Sequence, residues 1–240
     1  MKVTQKWVSF IMVGVAIPCA LRAESTLTVE AVVKGGMAVP QASLIAHSYD
    51  IGGGYSLPKA GYSIAGEVHV GIEGIPFVVN LGGSTTFFSN SGVVLNPSSA
   101  SPERQDYTVS MHIVSIDIGL QYRPITIGML EPYIGSNGKL SFFGGSLHND
   151  GVPGSLSLDM NAATRFGIDF AAGTQFSIAE LPFAFDIQAK YTMANLIGKQ
   201  FDTANSGYEL LDGKNPSSLG DQPRAINYTT VSFGFVFSIF

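Results

Sequence analysis

The 240-residue sequence predicts an all-β fold: one eight-stranded antiparallel up-and-down barrel that spans a membrane with its strands. Three observations carry that expectation. Apolar and polar residues alternate with period two over segments of about 10–15 residues, as a strand with successive side chains on opposite faces requires. Short and long connections alternate strictly between these segments, the form of transmembrane barrels with tight turns at one end and long loops at the other. Charged residues make up only 13% of the chain, against about 25% in an average soluble domain.

Composition excludes several classes. With 45% hydrophobic residues, 16 Phe and 9 Tyr, the chain is too apolar to be disordered. A single Cys rules out a disulfide scaffold. A formal charge of −5 without a basic cluster argues against nucleic acid as a partner. After residue 23 no run approaches 18 consecutive apolar residues, so helical membrane spans are excluded.

Residues 1–23 read as a cleaved secretory signal. Lys2 and Lys6 precede the apolar run Trp7 to Ile17, Pro18 breaks it, and Ala23 stands at the cleavage edge. The run is about half the ~20 residues of a spanning helix. Cleavage there removes Cys19 and leaves residues 24–240 as one barrel domain. It also removes three of the 13 basic residues and no acid, leaving 10 against 18, a net charge of −8.

The strands follow in order. Residues 27–39 oppose Leu27, Val29, Val33 and Met37 to Glu30 and Lys34. Residues 62–72 oppose Tyr62, Ile64, Val68 and Val70 to Glu67 and His69. Residues 77–88 set Phe77, Val79, Leu81 and Phe87 against Asn80 and Ser84. In 107–122 the phase slips between Ile113 and Val114, which predicts a β-bulge, after which Ile116, Ile118 and Leu120 oppose Asp117 and Gln121. Residues 133–143 oppose Ile134, Leu140 and Phe142 to Asn137 and Lys139, and 164–176 oppose Phe166, Ile168, Phe170 and Phe176 to Arg165, Asp169 and Gln175. The clearest alternation, Phe183 to Met193, opposes Phe183, Phe185, Ile187, Tyr191 and Met193 to Asp186, Gln188, Lys190 and Thr192. Residues 226–240 align Val231, Phe233, Phe235, Phe237 and Ile239.

Short connections fall at residues 73–76, 123–129 and 179–182, and long ones at about 40–59, 89–106, 146–162 and 198–224. Both termini then lie at the short-turn end. Every charge placed in a strand falls opposite the aromatics: Glu30, Lys34, Glu67, Asp117, Lys139, Arg165, Asp169, Asp186 and Lys190. Together with His69, His112 and Gln188 these form the expected polar lumen. Eight strands leave an interior just wide enough for side chains to fill. Near balance of acid and base there suggests a paired network, since a buried unpaired charge is costly. A narrow polar conduit is the functional alternative.

The segments Val33-Lys34-Gly35-Gly36-Met37-Ala38-Val39-Pro40 and Pro132-Tyr133-Ile134-Gly135-Ser136-Asn137-Gly138-Lys139-Leu140 carry a family likeness. So do the hairpin strands Phe166 to Phe176 and Phe183 to Ala194, and the terminal Phe240. In these the chain resembles the small outer-membrane β-barrels of Gram-negative bacteria, the OmpX- and OmpW-like barrels, over essentially all of residues 24–240. The resemblance implies insertion by the barrel assembly machinery, which reads the last strand, and an outer-membrane setting in contact with lipid and lipopolysaccharide. One departure is that Phe240 is out of phase with Val231 through Ile239.

The expected role is non-enzymatic: structural, or surface interaction and adhesion through loops that face outside and meet a surface or host ligand. The alternatives are a narrow pore for ions or small, including hydrophobic, solutes and, further off, an enzyme acting on lipid A. The enzyme reading rests on His112 with Ser110 and Ser115 nearby, without a carboxylate to complete a triad. No cofactor is expected, and no metal either, because His47, His69, His112 and His148 are dispersed. The long connections hold nine acids and five bases, an acidic surface able to meet divalent cations. Tyr62, Phe87, Tyr107, Tyr122, Tyr133 and Tyr228 are placed for interfacial girdles.

Overall fold

A computed structural model of the chain describes residues 26–41, 60–96, 103–149, 156–178, 181–198 and 225–239. The expected leader at residues 1–23, Phe240 and much of the longest connections lie outside this set. The eight strands are β1 (Leu27–Pro40), β2 (Gly61–Ile72), β3 (Phe77–Asn96), β4 (Glu103–Tyr122), β5 (Leu130–Asn149), β6 (Leu156–Ser177), β7 (Ala184–Ile197) and β8 (Asn227–Ser238). Each pairs antiparallel with the next, and β8 returns to β1 to close the barrel. The predicted fold is the observed one.

Tight turns close one end. Gly74, with φ of 81°, lets the chain reverse between β2 and β3, where the Ile75 amide donates to the Ile72 carbonyl at 3.0 Å. Gly128, with φ of 63°, serves the β4–β5 turn. Both adopt the left-handed region that glycine enters without a Cβ penalty.

Alternation decides what faces where. Met37, Ile64, Ile118, Ile134 and Phe166 lie on the outside, each more than half exposed. On the same wall Phe183, Phe185, Phe233, Phe235 and Phe237 form one cluster of mostly edge-on and tilted rings, with centroids 5.4–6.0 Å apart. Among the described residues Glu30, Lys34, Glu67, Asp117, Lys139, Arg165, Asp169, Asp186 and Lys190 face inward. A closed barrel with its aromatics outside and its charges inside is solvated by hydrocarbon, not water.

Two sequence expectations are corrected. No bulge separates Ile113 from Val114, because the β3–β4 and β4–β5 registers run unbroken through both. Met111 and Ile113 are instead buried inside the barrel, each 1% exposed, so apolar residues stand on the lumen face and the phase never slips. The register shifts that do occur lie between Phe143 and Gly145 against β6 and between Phe166 and Ile168 against β7.

The second correction concerns the connections expected at 89–106 and 146–162. Most of each is strand. β3 and β4 stay paired out to Asn96 and Glu103, and β5 and β6 out to Asn149 and Leu156. β2 pairs with β3 only to Phe88, and β7 with β6 only to Phe166. Among the described residues the paired wall therefore extends further across β3–β6 than across β7, β8, β1 and β2.

Candidate functional site

The inward residues form a column with three chemically distinct levels. At the turn end Arg123 stands at the mouth. Its guanidinium grips Glu30 with two bonds, Nη1 to Oε1 at 3.1 Å and Nη2 to Oε2 at 2.8 Å, and lies 3.5 Å from Glu131. Burial works against the Arg123 charge, but Glu30 more than offsets it, so its pKa is raised above the ordinary value. His69 sits above, with Nδ1 3.1 Å from Arg123 Nη2 and Nε2 3.1 Å from Glu67 Oε2.

Ion pairs continue up the column. Lys34 bridges Glu67 at 2.9 Å and Asp186 at 3.3 Å. The Tyr133 hydroxyl donates to Asp186 at 2.7 Å and accepts from Gln188 Nε2 at 3.1 Å. Lys139 reaches Asp117 at 2.8 Å and Asp169 at 3.5 Å, while Asn137 donates to Asp169 at 2.7 Å. Lys190, 3.8 Å from Glu67 and 3.9 Å from Asp169, joins the two groups. Close approach at this level depends on Gly119, where a Cβ would collide with Asn137 Oδ1 and the Ser136 carbonyl.

Above the ions come hydroxyls. Ser63 and Thr86 are 3.1 Å apart, as are Ser115 and Ser141, and Ser84 accepts from Lys139 at 3.4 Å. The last level, toward the loops, is apolar: Phe88, Met111, Ile113, Phe143, Tyr228 and Ile226 are all buried.

Of the residues expected to line the lumen, Glu30, Lys34, Glu67, His69, Asp117, Lys139, Asp169, Asp186, Gln188 and Lys190 are brought into this one network. Arg165 faces inward too and donates to the Thr164 carbonyl at 2.8 Å. His112 does not belong. It is exposed on the outer wall, opposite Gly144 of β5, because the unbroken β4 phase turns it outward. Ser115 faces the lumen, bonded to Ser141, so it and His112 lie on opposite faces; Ser110 is bonded to Ser146 at 3.0 Å.

Tyr133 and Tyr228 are likewise corrected from girdle to lumen, at 4% and 2% exposure. Tyr62 and Tyr122 do face outward, stacked on Phe87 and tilted against Phe77. Tyr107's side chain lies outside the described residues.

Arg123, Glu131 and Tyr133 were missed as lumen residues, though a signal for all three exists. Arg123 continues the inward parity of Asp117 and Gln121 one step past the end of β4. Glu131 and Tyr133 share the parity of Asn137 and Lys139.

Replacing Tyr133 by Phe isolates one member of the network. It removes the hydrogen bond to a carboxylate and leaves Gln188 without its acceptor. The expected loss is about 1.5–3 kcal/mol in denaturant unfolding. An unchanged midpoint would show that the bond contributes nothing net.

Among the described residues no group of three or more His, Cys, Asp or Glu is placed to hold a metal ion. No protein-family model and no curated protein matches the chain. Two solved structures of similar fold are Neisserial surface protein A and Ail, the attachment invasion locus protein of Yersinia pestis, the latter in complex with the heparin analogue sucrose octasulfate. The first is 12% identical, covering 90% of this chain and 99% of that one, with a TM-score of 0.39. The second is 14% identical, covering 90% and 100%, with a TM-score of 0.37.

Proposed function

We propose that the chain is an exported bacterial outer-membrane protein whose barrel is a closed, non-enzymatic scaffold. Its role is structural or one of surface interaction and adhesion, carried by the projecting strands and loops. In this reading the leader is cleaved after about Ala23 and the barrel assembly machinery inserts the rest. The finer likeness to OmpX and OmpW barrels belongs to the same proposal. So do contacts with lipopolysaccharide and with a surface or host ligand.

The observation that carries it is the filled lumen. Ion pairs occupy the turn half and apolar side chains the loop half, so every level between the mouths holds packed side chains. Side chains in an eight-stranded barrel suffice to fill it. The polar character of the turn half is what favours the second reading, a narrow pore. Planar-bilayer recording separates the two: the purified protein is expected to give no steady channels. Reproducible unit conductance from the unmodified chain would overturn the closed reading in favour of the pore.

A further inference from the structure

Two different layers are candidates for what closes the lumen: the ion pairs near the turns and the apolar side chains near the loops. We propose that the apolar layer is the seal, and that the polar lumen beneath it is a latent water path open from the turn end. The inference rests on the closed-barrel reading and says which residues close it.

The geometry singles out Phe88 and Tyr228. They belong to β3 and β8, which are not neighbours in the sheet, since β1 and β2 lie between them. Their rings nevertheless meet edge to face, with centroids 5.6 Å apart at 73°. That contact spans the lumen instead of running along the wall. Met111, Ile113, Phe143 and Ile226 pack at the same level, none more than 3% exposed. Among the described residues the polar groups of this layer are the Tyr228 hydroxyl and the Asn195 side chain, whose Oδ1 is already occupied by the Ile226 N–H at 2.7 Å, so ions and water are opposed there by dewetting.

The layers below are of another kind. Hydroxyls of Ser63, Thr86, Ser115 and Ser141 both donate and accept, and can exchange one another for water. The ion pairs beneath present further charged groups that water can coordinate. A polar layer that shifts its partners admits water, whereas a dry ring contact does not.

The test is bilayer recording of Phe88→Ala/Tyr228→Ala beside Lys139→Met/Asp117→Asn. Steady channels are expected from the first double variant and none from the second or from the parent. Channels from the ion-pair variant alone, or silence from both in correctly inserted protein, would overturn the seal. Channels from the parent would instead overturn the closed-barrel reading. A second measurement covers failure of the ring variant to insert. Thr86→Cys, in a background with Cys19 replaced by Ser, places a thiol one step below Phe88 in the otherwise native barrel. A small thiol reagent is expected to label it from the turn side only. Labelling from the loop side, or from neither, would also refute the proposal.

Discussion

Replacing Lys139 by Met is expected to destabilise the barrel by about 3–5 kcal/mol, the cost of breaking a buried ion pair and leaving its partners charged. Lys139 has 1% side-chain exposure and holds both Asp117 and Asp169, which are themselves 6% and 0% exposed. Without it Asp169 retains Asn137 at 2.7 Å and Lys190 at 3.9 Å, but Asp117 loses its 2.8 Å cation. Adding Asp117→Asn to Lys139→Met is expected to recover part of the loss, because the uncompensated charge then disappears. Reversible denaturant unfolding in lipid measures both. A single-variant loss below about 1 kcal/mol, the range of exposed pairs, would mean that the pair contributes little to holding the barrel together.

The second large effect lies on the opposite face. Ile118 is 62% exposed on the β4 wall, between Ile116 and Leu120. Arginine there is expected to cost about 2–4 kcal/mol if Ile118 faces the bilayer midplane. His112, six residues toward the loops on the same outward face, provides the control. Arginine at that position is expected to cost about 0–1 kcal/mol, the value near an interface. The difference between the two is the readout, since it cancels strand propensity and reports depth. Equal costs would place both residues in the same medium and remove the lipid belt.

How far the fold was legible depends on contrast between two environments. Where one face meets lipid and the other charge, as from Phe183 to Met193, period two gives the face of every residue. Contrast fails in two ways. Beyond Phe88 and Phe143 the sequence turns to Ser, Asn and Gly, so the alternation fades although pairing continues to Asn96 and Asn149. At Met111 and Ile113 the lumen itself is apolar, so inward and outward residues look alike, and a uniform strand is misread as a bulge that turns His112 inward.

The candidate site divides in the same manner. Its membership is readable from parity, including Arg123 past a strand end. Its pairings are not. Lys34 meets Asp186 and Arg123 meets Glu30 across the lumen, and such partners follow from the stagger of all eight strands together, which no local pattern encodes. The apolar seal is hidden for a further reason, because Phe88 and Tyr228 join across the barrel from strands that never touch.

Among the described residues the extension of β3–β6 past their neighbours gives the barrel a distinct side. From Phe88 to Asn96 β3 continues for eight residues past its last pairing with β2, roughly 27 Å along the strand at ~3.4 Å per residue. Even tilted by ~45° that rises about 19 Å, against the ~5–7 Å of one headgroup layer. A body diffusing in the same leaflet of a membrane around the barrel thus meets this upright sheet from one bearing. Two such barrels side by side are not equivalent under rotation about the membrane normal.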